Sequence, residues 1–110
     1  MSDLSRKSCL PCEGGTTPIA PPHAKELMAQ IPGWTLEPSA KALSRTFQFK
    51  DFYETMAFVN AIAYIAHRED HHPDLAVGYK TCGVNYHTHA IDGLSENDFI
   101  CAAKIDALVL

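Results

Sequence analysis

The sequence has no uninterrupted apolar run of about 18 residues, the minimum for a membrane-spanning helix. It has no excess of basic charge either: 9 Lys and Arg stand against 13 Asp and Glu, a formal net charge of −4. Binding driven by nucleic-acid phosphates needs a basic face, so that class of partner is excluded. Residues 1–10 lack the apolar centre of a secretory leader, so a soluble, cytoplasmic protein is expected. No internal repeat is present. Of four cysteines, only Cys9 and Cys12 form a C-x-x-C pair, while Cys82 and Cys101 stand alone. Without a second such pair there is no zinc ribbon, and without a flanking βαβ pattern there is no thioredoxin-like motif. The pair reads as reduced thiols in an N-terminal tail.

What remains is a chain of 110 residues, 46% hydrophobic and 20% charged. That is one globular domain of ordinary composition. Residues 1–22 are rich in Pro, Gly, Ser and Thr and read as an extended, flexible tail. Residues 23–110 form the domain. A short helix is expected from Pro22 or His23 to Ile31, stopped by Pro32-Gly33. Residues 34–36 and 43–49 follow as a hairpin, with Leu43, Phe47 and Phe49 alternating against Ser44, Thr46 and Gln48. Asp51-x-x-Glu54 resembles a capping box and opens the main helix, with Phe52, Met56, Val59, Ala63 and Ala66 at helical spacing. This helix ends near residues 68–70, because His72 precedes Pro73 and the residue before a proline avoids helical angles.

A strand over 74–77 and a second over 84–89 make another hairpin. In the latter, Val84, Tyr86 and Thr88 share one face and Asn85, His87 and His89 the other. Ser95-x-x-Asp98 caps a last helix bearing Phe99, Ala102, Ile105, Leu108 and Val109. The order αββαββα predicts an α+β fold: a four-stranded antiparallel sheet with three helices packed on one face. The open face, the strand edges and the small size point to a homodimer or homotetramer.

Four of the six histidines, His67, His71, His72 and His89, fall close together in sequence with Asp98. Histidine is the side chain suited to exchange protons near neutral pH. A strand out and a strand back return His89 towards His71 and His72, so three imidazoles can line one pocket. One neutral imidazole taking a proton while a protonated one gives a proton suits the elimination or addition of water. Competing readings attach to the same residues. His71-His72-Pro73 is also a helix stop, and Asp98 is also a helix cap. His67 and His71, four apart, could hold zinc with His89, although the H-E-x-x-H glutamate is missing. His87 is placed at an exposed or interface position.

The chain from about residue 24 to residue 110 resembles the pterin-4a-carbinolamine dehydratase family. His67, His71-His72-Pro73, Tyr79, His89 and Asp98 carry the resemblance, with Ile31-Pro32-Gly33-Trp34, Phe49-Lys50-Asp51-Phe52, Ala57-Phe58-Val59-Asn60 and Gly93-Leu94-Ser95-Glu96-Asn97-Asp98-Phe99. The resemblance implies loss of water from a 4a-hydroxytetrahydropterin to give the quinonoid dihydropterin, in tetrahydrobiopterin recycling. It implies no metal and no organic cofactor. It implies His71, His72 and His89 as catalytic residues: His71 and His89 as the proton-transfer pair, His72 holding the hydroxyl. Pro73, Thr88, Asp98 and His67 would bind substrate, and an aromatic amino acid hydroxylase would be the functional partner. Position 67 is often Glu in the family, so His67 changes the local electrostatics. Members of the family also act as partner proteins, one as a dimerisation cofactor of a homeodomain transcription factor; the intact histidine set argues for retained chemistry.

Overall fold

The computed structural model describes residues 4–11 and 17–109. The expected order is observed: α1 (Pro21–Met28), β1 (Thr35–Leu36), β2 (Leu43–Gln48), α2 (Phe52–Glu69), β3 (Asp74–Val77), β4 (Thr81–Tyr86) and α3 (Glu96–Asp106). The strands form one antiparallel sheet in the order β1-β2-β4-β3. The register sets Leu43 opposite Tyr86 and Phe47 opposite Cys82. All four are buried, as is Val84, so alternate residues of the two central strands build one apolar face. The helices close over it: α1 contributes Ala24 and Leu27, α2 contributes Phe58 and Ile62, and α3 contributes Phe99, Ile100, Ala102 and Ile105. Trp34 seals the β1 end, donating its indole N–H to Asp106 at 2.8 Å, and Arg45 holds the same carboxylate oxygen at 2.9 Å.

The helix ends follow local chemistry. Asp51 caps α2 by accepting from the Glu54 N–H at 2.8 Å. The reciprocal bond of the expected box is displaced by one residue: Glu54 accepts from the N–H of Lys50, not of Asp51. At the other end, Asp70 takes left-handed angles (φ 52°, ψ 43°), which Asp tolerates better than most residues. The His71 N–H then returns to the Ala66 carbonyl at 3.1 Å. This turn throws the chain off the helix axis and into β3, so His67 and His71 do not share a helix.

Two expectations are corrected. The strand of the second hairpin runs from Thr81 to Tyr86 instead of 84–89, because Thr88, bridged to Gly93, opens a short 3-10 turn over His89–Ile91. Residues 4–11 also differ from an extended, flexible tail. Leu4 is buried within the core, Lys104 donates to the Ser5 carbonyl at 2.8 Å, and Leu10 N–H donates to Asn97 at 3.0 Å. These contacts run from one end of α3 to the other and lay the segment along the helix as a strap. Composition alone misjudges it, because one well-placed leucine and side-chain partners for the backbone suffice to seat a short segment. Cys12 lies outside the described residues.

Ala40, in the turn between β1 and β2, adopts φ 58°, a region that costs an L-residue about 1–2 kcal/mol. Ala40→Gly is expected to raise the unfolding free energy by roughly 0.5–1 kcal/mol, the relief being partly offset by glycine's greater freedom when unfolded. Urea denaturation measures this, and a loss of stability would contradict the strain.

Candidate active site

The site grows from the places where regular structure stops. α2 delivers His71 and His72 at its αL exit, β4 delivers Thr88 and His89 just past its end, and Ser95 caps the start of α3. A cavity of about 440 Å³ lies between these ends. Its wall takes residues 68–72 from the α2 exit, 88–90 from the turn after β4, Asn97 from α3 and 9–11 from the strap.

Asp98 organises the wall from behind. It is fully buried. One carboxylate oxygen, Oδ2, accepts from the Ser95 N–H at 2.9 Å and from the Thr88 hydroxyl at 2.7 Å. Since Thr88 has only one hydroxyl proton to give, the 2.8 Å contact between Thr88 and Ser95 has Ser95 as donor. The other oxygen, Oδ1, lies 2.6 Å from His71 Nε2. A carboxylate can only accept, so Nε2 carries the proton and Nδ1 is the ring's remaining basic nitrogen. The His71 ring also stacks nearly parallel on Tyr86, with centroids 5.7 Å apart.

Burial is the largest influence on His71 and opposes its charged form. The hydrogen bond and charge of Asp98 outweigh it, and the pKa is raised above the ordinary 6.5. Tyr86 is the converse case: burial, with the nearby Cys101 and Asp98, pushes its phenol far up, and the Tyr86 Oη has no hydrogen-bond partner among the described residues.

His72 and His89 stand opposite each other on the cavity wall, rings 6.0 Å apart and inclined by 19°. The structure therefore brings together His71, His72, Thr88, His89 and, behind them, Asp98. Among the described residues that line the cavity, Pro73 and His67 are missing; His67 is exposed on α2. His87 is half-buried, its ring 3.9 Å from that of His89. The zinc set His67, His71 and His89 loses its helical basis, since α2 ends at Glu69. A different trio, Asp74, His87 and His89, has donor atoms all within 4.8 Å of one another and could hold a metal ion. The strap residues and Arg68, Glu69 and Asn97 escaped sequence reasoning; nothing in the low-complexity tail signals a cavity wall.

Fold and site describe a small α+β protein with an imidazole-lined pocket. The family model for pterin 4 alpha carbinolamine dehydratase matches residues 17–108. A protein of Nitrosomonas europaea named for pterin-4-alpha-carbinolamine dehydratase is 59% identical over 107 residues, 96% of this chain and 93% of that one. One of Nitrosospira multiformis with the same name is 56% identical over 108 residues, covering 98% of this chain and 94% of its own. A crystal structure of a transcriptional coactivator/pterin dehydratase from Brucella melitensis superposes with a TM-score of 0.81 at 29% identity, over 86% of this chain and all of that one. The chain belongs to the pterin 4 alpha carbinolamine dehydratase family.

Because the His71 pKa is raised in the fold, its pairing with Asp98 adds stability that is fully present below about pH 6.5 and fades as pH rises through the folded value. Wild-type protein is expected to lose unfolding free energy across that window, and Asp98→Asn to show a flatter dependence. Burial then acts on the imidazole without its opposing carboxylate, so the His71 NMR titration midpoint should fall in the variant. An unmoved midpoint would break the assignment.

Proposed function

We propose that this chain is a hydro-lyase that removes water from a 4a-hydroxytetrahydropterin to give the quinonoid dihydropterin. The observation that carries the reading is the His71–Asp98 contact at 2.6 Å, set in the wall of a cavity that also presents His72 and His89. The reaction must expel hydroxide from ring carbon 4a and take a proton from a ring N–H. His71, whose protonated form Asp98 favours, gives the proton that turns the departing hydroxyl into water. His89 takes the N–H proton, and His72 beside it holds the hydroxyl. Thr88 and Asp98 fix His71, and Pro73 and His67, which do not line the cavity, have no part in the transfer. After one turnover the two imidazoles have exchanged protonation states, and solvent resets them. The pocket needs no cofactor for this proton traffic.

The substrate is the pterin that an aromatic amino acid hydroxylase leaves hydroxylated at ring carbon 4a when it has used its tetrahydropterin, so recycling of that cofactor in the cytoplasm is the fitting role. Among the described residues, no helix is long and apolar enough to cross a membrane. β3 is an edge strand with every residue exposed, Leu75 and Val77 included. An unpaired apolar edge favours a homodimer or homotetramer.

Stopped-flow absorbance of 4a-hydroxytetrahydropterin decay tests the reading. Catalytic amounts of protein should accelerate decay with a chelator present, and His71→Ala and His89→Ala should each lower kcat by about 10²–10⁴-fold. A double variant at the wild-type rate would overturn it. Acceleration lost to the chelator would shift the chemistry to a metal, for which Asp74, His87 and His89 offer donors.

A further inference from the structure

The C-x-x-C cysteine that the function leaves unused has a partner 92 residues away. Cys9 Sγ lies 3.6 Å from Cys101 Sγ, and both thiols are free. We propose that Cys9 and Cys101 are an oxidation site, converted by a peroxide-class oxidant to a disulfide that fastens the N-terminal strap to α3 beside the cavity.

The geometry is built on both sides of the pair. The Cys9 N–H donates to Glu69 at 2.8 Å, and the Leu10 N–H donates to Asn97 at 3.0 Å, while Asn97 donates back to the Leu10 carbonyl. These bonds hold the strap with the Cys9 thiol over α3. Cys101 is fully buried in that helix, whereas Cys9 is only half-buried and faces the cavity, so oxidant reaches Cys9 first. A disulfide has sulfurs about 2.05 Å apart, so the sulfurs must approach by roughly 1.5 Å. Rotation of one side chain in a surface strap supplies that. The two thiols are unequal. The contact with Cys101, then burial, pushes the Cys9 thiol far up. The same contact, ahead of the opposing burial, lowers the Cys101 pKa, and His71 adds to this. Exposure therefore selects Cys9 for the oxidant, and Cys101 is the readier thiolate to attack it afterwards. Among the described residues Cys82 has no such partner; burial raises its pKa.

The steps balance. Peroxide transfers one oxygen to the Cys9 sulfur: an S–O bond forms, the O–O bond breaks and one water leaves. The Cys101 sulfur then attacks the sulfenic sulfur; the S–S bond forms, the S–O bond breaks, and the departing hydroxide takes the remaining thiol proton as a second water. The two cysteines have together lost two protons and two electrons, and the peroxide has been reduced. In a reducing cytosol the thiol form prevails until oxidant rises.

The test uses the full chain, wild type and Cys12→Ser, treated with hydrogen peroxide and mapped by mass spectrometry without reduction. In both proteins the intact mass should fall by two hydrogens, with the Cys9 peptide joined to the Cys101 peptide and dithiothreitol restoring the thiols. The oxidised form should melt at least about 5 °C higher, because the bridge closes a long loop. Cys9→Ser should abolish the two-hydrogen loss. A Cys9–Cys12 bridge as the wild-type product, a bridge through Cys82, or oxygen addition without bridging in Cys12→Ser would overturn the proposal.

Discussion

A carboxylate with no exposed surface is the constraint around which the rest of this molecule is arranged. An unpaired buried charge costs several kcal/mol, so Asp98 must find donors or the fold does not form as observed. It finds them in three separate pieces of chain: Ser95 at its own helix start, Thr88 past the end of β4, and His71 at the exit of α2. Each donor comes from the end of an element that the apolar core has already positioned. The positive end of α3 adds to the same stabilisation. Helix capping and histidine orientation are thus two uses of one side chain, divided between its two oxygens. The reading of Asp98 as a cap holds, and its second oxygen remains to face His71.

The floor beneath His71 works in the same direction. Tyr86 is fully buried and stacks under the imidazole, and the ring has little exposed surface. Water screens the Asp98 contact poorly there, so its hydrogen bond and charge, with smaller help from Cys101 and Asp70, together outweigh the burial that would otherwise keep the imidazole neutral. His72 and His89 are exposed on the cavity wall, and among the described residues neither has such a partner-and-floor arrangement. Three histidines in one pocket are therefore not equivalent, and the difference between them is what an acid and a base acting on one substrate require.

The architecture was legible in the sequence because its periodicities are clean. The alternation through Leu43 and Phe47, the α2 stripe with its Asp51 cap, and the Ser95-x-x-Asp98 start of α3 each specify an element without tertiary help. The gathering of His71, His72 and His89 was legible too, since a hairpin must return to where it began. What failed was local geometry under tertiary control. Alternation alone carries the strand to His89, yet it ends at Tyr86, three residues earlier, and the Thr88–Gly93 bridge leads into a 3-10 turn over His89–Ile91. His67 and His71 looked like helical neighbours, but an Asp in the left-handed region ends the helix between them. The strap left no periodic signature because its backbone bonds go to side chains of Glu69 and Asn97 instead of to a neighbouring strand.

That strap changes what counts as the site. A wall made only of helix and strand ends would leave the cavity open on the α3 side, where residues 9–11 now lie. The strap is held by a few side-chain hydrogen bonds and one buried leucine, a weaker tether than the packed core opposite. The pocket consequently has one wall built on the packed core, which carries the imidazoles, and one wall on a lighter tether. Cys9 and Cys101 meet across that seam. Chemistry at the seam would act first on the wall that residues 9–11 supply, and only through it on the imidazoles opposite.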